Sequence, residues 1–220
     1  MIKLVVFDFD GTLADTRELI LQTNRAAMRK MNYPVASDEA ISATIGIPLE
    51  AGILTLFPEI TPDQVPAWVK TYREVFDTLK GQFIPTLFPE VKETLERLHA
   101  AGYQLTIASS RHSSSLNEFL RNMGVAPLFD YVLGADNVTR AKPFPDPVLI
   151  TLKELSQEAA RTLVVGDMPV DIQMGLGADA YTCGVTYGNA NRAALEAAGA
   201  HAVIDHFGEL EEVIKKFQGR

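Results

Sequence analysis

The sequence predicts an α/β fold, a parallel sheet with helices on both faces, interrupted once by a purely helical insertion. Three observations carry this. From Pro85 onward, short apolar runs rich in β-branched residues alternate with stretches of helical spacing, the rhythm of β–α units whose strands are buried on both sides. Between residues 16 and 82 no strand pattern occurs, and helical periodicity alone fills the interval. Several strands stop at polar or ionisable residues, and parallel strands present all their C-terminal ends at one edge, where open α/β sheets bind ligands. Residues 1–15 and 83–220 are therefore expected to form one α/β core, with residues 16–82 inserted as a second, helical unit.

Leu4–Phe7 is too short for a helix and reads as the first strand. Leu19, Ile20, Thr23, Ala26, Ala27 and Met31 follow helical spacing, and Asn32-Tyr33-Pro34 ends the run. Asp38 to Ile45 and Leu49 to Leu56 read as two short helices separated by Gly46-Ile47-Pro48. Thr61-Pro62-Asp63 resembles a helix start, with Thr61 as N-cap and Pro62 in the first helical position. Val65, Trp68, Val69, Tyr72, Phe76 and Leu79 then mark one face of that helix to about Gly81. In the core, strands are expected at 103–108, 131–133, 162–165, 181–185 and 202–204. Helices are expected at 89–100, 113–123, 147–155, 169–176, 193–198 and 209–217.

A net charge of −8 excludes a basic nucleic-acid footprint. The insertion carries seven basic and eight acidic side chains, so it is no polyanion-binding patch either. The one cysteine, Cys183, lies in an apolar segment and is expected to be a buried structural thiol. No intramolecular disulfide is possible, Met1-Ile2-Lys3 leads straight into the first strand, and no apolar run approaches membrane-spanning length. A cytoplasmic protein with no membrane partner is the expectation. The oligomeric state is left open, a monomer included.

The chemistry is expected to begin at Asp8-Phe9-Asp10-Gly11-Thr12. Asp8 would end the first strand, and in extended chain Asp8 and Asp10 point the same way. Two close carboxylates repel, and a divalent cation is the simplest remedy. Taken alone, Asp and Gly here would serve equally well as turn residues. Ser109 alone would serve as a helix cap, Lys142 as a solvated loop charge, and Asp167 and Asp171 as acids favoured by the start of the helix at Pro169. Their shared placement at strand ends changes the balance. Asp8, Asp10 and Asp167 are hard oxygen donors suited to Mg2+. Ser109, Ser110, Lys142 and backbone N–H groups are donors suited to a phosphoryl group. Together they make a coherent phosphoryl-transfer site.

In these four stretches the chain resembles the haloacid dehalogenase superfamily, a Rossmannoid fold of mostly aspartate-based phosphatases. The motifs occur in order: Asp8-Phe9-Asp10-Gly11-Thr12, then Ser109 after a strand, Lys142 with Pro143-x-Pro145, and Gly166-Asp167 with Asp171. The place of the insertion resembles the family's helical-cap subgroup, and the overall pattern is similar to phosphoglycolate-phosphatase-like members. The resemblance implies that Asp8 is a nucleophile forming an aspartyl phosphate and Asp10 a general acid and base. It makes Asp8, the Asp10 carbonyl and Asp167 ligands of Mg2+, with Asp171 supporting the site. Thr12, Ser109, Ser110 and Lys142 would serve on the phosphoryl side. The substrate would be a small phosphorylated metabolite, such as phosphoglycolate or a sugar phosphate. Thr44, Gly46 and Ile47 are expected in a loop facing the catalytic centre, though an ordinary helix connection would read the same way. Arg17, Arg25 and Arg111 are candidate partners for a second substrate anion. Met168-Pro169 departs from the small hydroxyl residue that often follows Gly-Asp in the family.

Dehalogenation would not need Asp10, since a halide leaves without a proton. A sugar-phosphate mutase or inorganic pyrophosphatase on the same core remains an alternative. So does a phospho-aspartate switch, although Asp10 as a water activator argues against a long-lived acyl phosphate. Gly175-Leu176-Gly177-Ala178-Asp179-Ala180 matches a loose dinucleotide-binding pattern, but it closes a helix instead of opening one and is rejected.

Overall fold

A computed structural model describes residues 1–218. The chain opens with β1 (Leu4–Phe7) and a two-residue strand β2 (Ala14–Asp15). Four helices follow: α1 (Arg17–Lys30), α2 (Asp38–Ser42), α3 (Leu49–Leu56) and α4 (Val65–Leu79). The chain returns through β3 (Thr86–Leu87) and α5 (Val91–Ala100), then β4 (Gln104–Ala108), α6 (Ser113–Asn122) and β5 (Tyr131–Leu133). It continues with α7 (Asp146–Glu154), β6 (Thr162–Gly166), α8 (Pro169–Gly177) and β7 (Tyr181–Val185). It closes with α9 (Arg192–Ala197), β8 (Ala202–Ile204) and α10 (Leu210–Gln218).

Six strands form one parallel sheet in the order β5-β4-β1-β6-β7-β8. Successive side chains of a strand point to opposite faces, and the two faces are buried by different helices. Val5, Phe7, Leu105, Ile107 and Val165 pack with residues of α5, α6 and α10. Leu4, Val6, Ala108 and Val164 pack with Val148 and Leu152 of α7 and Met174 of α8. All four β1 side chains are fully buried, which explains an uninterrupted Leu-Val-Val-Phe run where a half-exposed strand would alternate. The sheet order turns back at β1: β4 lies on one side of it and β6 on the other. The ends of β1, β4 and β6 are therefore adjacent, at the switch point where such sheets bind ligands.

The helices of residues 16–82 bury a cluster of their own, including Ile20, Met28, Ile41, Phe57, Trp68 and Val69. Trp68 stacks on Phe57 at 5.1 Å and meets Tyr33 edge-on at 5.0 Å, so it is core. The connection to the sheet is the antiparallel pair β2–β3, with Asp15 opposite Thr86. That ribbon has no period long enough to read in sequence.

One helix start and one helix end differ from expectation. Thr61 does not cap α4: its N–H and hydroxyl both donate to Gln64 Oε1, at 2.9 and 3.1 Å, and the helix begins at Val65 with Pro66 in its first turn. A proline is tolerated equally at either place, because first-turn N–H groups have no helical partner. The helix expected from Asp38 to Ile45 stops at Ser42, and residues 43–47 form the turn that carries Gly46 at φ 90°. Cys183 is fully buried, as expected, and burial pushes its thiol up to about 12. No described helix is long and apolar enough to cross a membrane.

Candidate active site

Asp8 follows β1 directly, and its N–H donates to Val165 O of β6 at 2.9 Å, so the sheet fixes its backbone. The next four residues fold back on themselves. Phe9 O accepts from the N–H groups of Leu13 and Ala14, and Gly11 N donates to Ala14 O at 2.9 Å. Gly11 takes φ +88°, and a Cβ at that position would overlap the Asp167 carboxylate and the Asn189 amide. The turn therefore needs glycine both for its backbone angle and for the close approach of the residue after β6.

Asp8, Lys142, Asp167 and Asp171 are each at least 96% buried. Lys142, carried by the loop before α7 and followed by a cis Pro143, lies between two acids. Its Nζ donates to Asp8 Oδ1 at 2.5 Å and lies 2.6 Å from Asp171 Oδ1. The other Asp171 oxygen accepts from Met168 N at 3.0 Å, closing the first turn of α8. Asp171 thus serves the helix start and the lysine together. Asp167 is held from three directions. Thr12 Oγ1 donates to its Oδ1 at 3.3 Å, and the backbone N and side-chain Nδ2 of Asn189 donate to its Oδ2 at 2.7 and 2.8 Å.

Three acids around one lysine leave negative charge uncompensated. Burial pushes the Asp8 carboxyl well above the ordinary carboxylate range; Lys142 pulls it down, and Asp171, Asp167 and Asp10 push it further up. Burial and then Asp171 raise Asp167 to about 7, against the hydrogen bonds from Asn189. Burial alone would lower Lys142, but Asp171 and Asp8 outweigh it and hold the ammonium firmly charged.

One atom shows what is missing. Asp8 Oδ2 is buried and has no hydrogen-bond donor among the described residues. Oxygens of Asp8, Asp167 and Asp171 all lie within 4.8 Å of one another. An all-carboxylate donor set with an unpartnered oxygen fits a hard divalent cation, and the cluster can hold one.

The other expected residues separate into two groups. Ser109, at the end of β4, is buried beside Lys142's loop, and its Oγ accepts from Arg111 N at 3.1 Å. Ser110 turns away from it: its hydroxyl donates to Gly46 O at 2.7 Å, tying the α2–α3 turn to the end of β4. Thr44, Gly46 and Ile47 line a cavity of about 420 Å3 whose opposite wall includes Asp10 and Arg111. Arg17 bonds Ser42 and Arg25 pairs with Asp38, so neither faces that cavity. Asn189 and Tyr187, whose hydroxyl donates to Thr12 O at 2.8 Å, were not anticipated. Their signal was available: both follow β7, another strand ending at the same edge.

The fold is a Rossmannoid parallel sheet with helices on both faces, and its switch point carries a buried acid–lysine cluster able to hold a cation. Residues 5–185 match the sequence profile of haloacid dehalogenase-like hydrolases, and the chain belongs to that family. A relative from Dickeya dadantii (strain 3937), described as "Probable phosphatase IndB", is 37% identical over 216 residues, covering 96% of this chain and 92% of its own. A phosphoglycolate phosphatase from Vibrio parahaemolyticus is 32% identical over 219 residues, covering 97% of this chain and 96% of its own. The crystal structure of a haloacid dehalogenase-like hydrolase from Bacteroides fragilis superposes with a TM-score of 0.91 at 28% identity, covering 96% of this chain and all of that one. The chain is a phosphatase of this type, a hydrolase acting on phosphoester bonds.

Proposed function

We propose that this phosphatase hydrolyses a small phosphomonoester, phosphoglycolate or a sugar phosphate, with Mg2+ bound, through an aspartyl phosphate on Asp8. The observation that carries the reading is the environment of Asp8: one oxygen on Lys142, the other unpartnered, both buried at a sheet switch point. The substrate class is supported by the phosphoglycolate phosphatase among the relatives.

In the first step an Asp8 carboxylate oxygen attacks phosphorus and the ester P–O bond breaks. The leaving oxygen takes a proton from the Asp10 carboxyl. In the second step Asp10, now a carboxylate, takes a proton from water as that water attacks the phosphorus. The P–O bond to Asp8 breaks, restoring the Asp8 carboxylate and releasing phosphate. Lys142 and Ser109 hold phosphoryl oxygens, and Lys142 passes from Asp8 to the incoming group as charge moves outward. Asp8, Asp167 and the Asp10 carbonyl would hold Mg2+, with Asp171 behind them. When bound, Mg2+ offsets the repulsion between an anionic nucleophile and an anionic substrate. The helices of residues 16–82 act as a cap, and the Thr44–Ile47 turn contributes to substrate choice by walling the cavity beside Asp10.

The test is Asp8→Asn, with native folding verified by circular dichroism, assayed against phosphomonoesters and pyrophosphate in Mg2+ and in EDTA. Turnover of at least one phosphomonoester is expected in wild type with Mg2+ only, and a loss of at least about 10^3-fold in the variant. A variant that turns over at the wild-type rate overturns the reading. A stable isomerised sugar phosphate with little free phosphate would assign a mutase instead.

A further inference from the structure

We propose that Arg111 is a latch on Asp10, released by a second anionic group on the substrate, so that this chain selects phosphomonoesters whose leaving group is itself charged. The inference deepens the phosphomonoester reading and rests on it.

Arg111 follows Ser109-Ser110 at the end of β4. Its Nε lies 3.2 and 3.1 Å from the two oxygens of Asp10, and its Nη2 donates to Oδ1 at 2.5 Å. Both side chains are about nine-tenths buried, at 8% and 10% exposure. The guanidinium carbon lies 5.3 and 5.0 Å from the ring centres of Phe76 on α4 and Phe119 on α6, which meet each other edge to face at 6.1 Å. Among the described residues Asp10 is its sole acidic partner within ion-pair distance.

An Asp10 paired through both oxygens with one buried guanidinium is held in that geometry and cannot turn toward the leaving oxygen or a water while the pair is intact. The pair must loosen before Asp10 can move a proton. The transferring phosphoryl group is poorly placed to loosen it, since Ser109 and Lys142 already hold that side of Asp8. Arg111 instead faces the cavity of about 420 Å3 between the helical segment and the sheet, which Asp10, Ser110 and Arg111 line but Asp8, Ser109 and Lys142 do not. That cavity is where a leaving group extends. A leaving group with its own carboxylate or phosphate exchanges one anion for another on Arg111. A neutral one must strip a buried guanidinium of its partner, which is strongly unfavourable. Arg73 also lines the cavity, but it is exposed, and water screens it from such a role. Phe76 adds a mechanical link: it belongs to the helical segment, so the position of that segment bears directly on the arginine that holds Asp10.

The experiment compares kcat/KM within two matched pairs: phosphoglycolate against 2-hydroxyethyl phosphate, and 1,3-propanediol bisphosphate against 3-hydroxypropyl phosphate. The first pair reads a carboxylate and the second a phosphate. Wild type is expected to favour the charged member of at least one pair tenfold or more. Arg111→Met should bring that ratio to within about threefold of unity, Arg111→Lys should keep part of it, and Arg73→Met should keep most of it. A wild-type ratio near one, an unchanged ratio in Arg111→Met, or a ratio lost in Arg73→Met overturns the proposal. Calorimetric binding of 3-phosphonopropionate against 3-hydroxypropylphosphonate reads the same ratio without turnover. If no ester is hydrolysed yet the binding ratio persists and depends on Arg111, the phosphomonoester reading fails and the arginine's preference for a charged ligand stands. If esters are hydrolysed without charge preference, the reverse holds.

Discussion

Lys142 Nζ lies 2.5 Å from Asp8 Oδ1, across 134 residues of sequence, and among the described residues it is the one cation inside a cluster of three buried acids. Its removal would leave those carboxylates without compensation. Breaking a buried pair by deleting one partner costs about 3–5 kcal/mol. Lys142→Met is therefore expected to lower Tm by roughly 6–20 °C in EDTA, at about 2–4 °C per kcal/mol for a chain of this size. Mg2+ should restore more of that loss than it adds to wild type, because the cation then serves a more negative site. Calorimetric unfolding with and without Mg2+ checks this, and a variant as stable as wild type in EDTA would show that Lys142 does not neutralise the cluster.

Asp167 gives the pH dependence. Its folded-state value is raised to about 7, by burial first and Asp171 second, against an ordinary value of 3.8. A raised carboxyl contributes stability that is complete below its unfolded value and is lost as pH rises through its folded value. Asp8 shifts in the same direction. The metal-free protein should thus lose stability from about pH 4 to pH 7, between the ordinary and the raised value, counter to the usual behaviour of paired carboxylates. A divalent cation must displace those protons to bind. The Tm gain from Mg2+ is then expected to be small at pH 5.5 and to grow toward pH 8. A gain independent of pH across that range would mean that Asp167 does not take part.

How far the sequence disclosed this arrangement depends on the range of the interaction. Leu4–Phe7 and Thr162–Val165 were legible as strands because burial on both faces demands continuous apolar runs, and Asp8, Ser109 and Asp167 were legible because they stand where such runs stop. The tie between Arg111 and Asp10 was not. It joins residues 101 positions apart, and it exists because Phe76 and Phe119, from two further helices, close over the guanidinium. Asn189 was passed over for a related reason: an amide in a loop carries no periodicity, and its meaning comes from Asp167 lying 22 residues earlier. Thr61-Pro62 misled because it satisfies a local rule for helix starts, whereas α4 begins four residues on at Val65 without a side-chain cap from Gln64, its Pro66 being tolerated in the first turn. The hydroxyl of Thr12 was expected on the phosphoryl side, and in the folded chain it donates to Asp167.

Ser110 separates two roles that sequence alone merges. Its hydroxyl donates to Gly46 O at 2.7 Å and so fastens the turn between α2 and α3 to the end of β4. Removing that hydroxyl should cost about 1 kcal/mol, a fall in Tm of roughly 2–4 °C. If the bond serves substrate enclosure, Ser110→Ala should raise KM about fivefold and leave kcat near wild type, a fivefold change being about 1 kcal/mol. A kcat lowered by two orders of magnitude at unchanged Tm would place the hydroxyl on the phosphoryl group instead.

Gly11 tests whether the turn after Asp8 and the acid after β6 form one unit. The residue sits at φ +88°, where an L side chain is strained, and an added Cβ would run into the Asp167 carboxylate and the Asn189 amide. Gly11→Ala is expected to destabilise the fold by more than about 1 kcal/mol from the backbone angle alone. It should also weaken Mg2+ binding at least tenfold, since Asp167 must shift to admit the methyl group. Gly81→Ala provides the comparison: nothing lies within 4 Å of a Cβ there, and a surface change of that kind stays within about 0.5 kcal/mol. Titration calorimetry with Mg2+ alongside thermal unfolding measures both effects. Should Gly11→Ala lose stability yet bind Mg2+ as tightly as wild type, Asp167 would be free to move without harm to the metal site, and the donor set would have to be built from Asp8 and Asp171 without it.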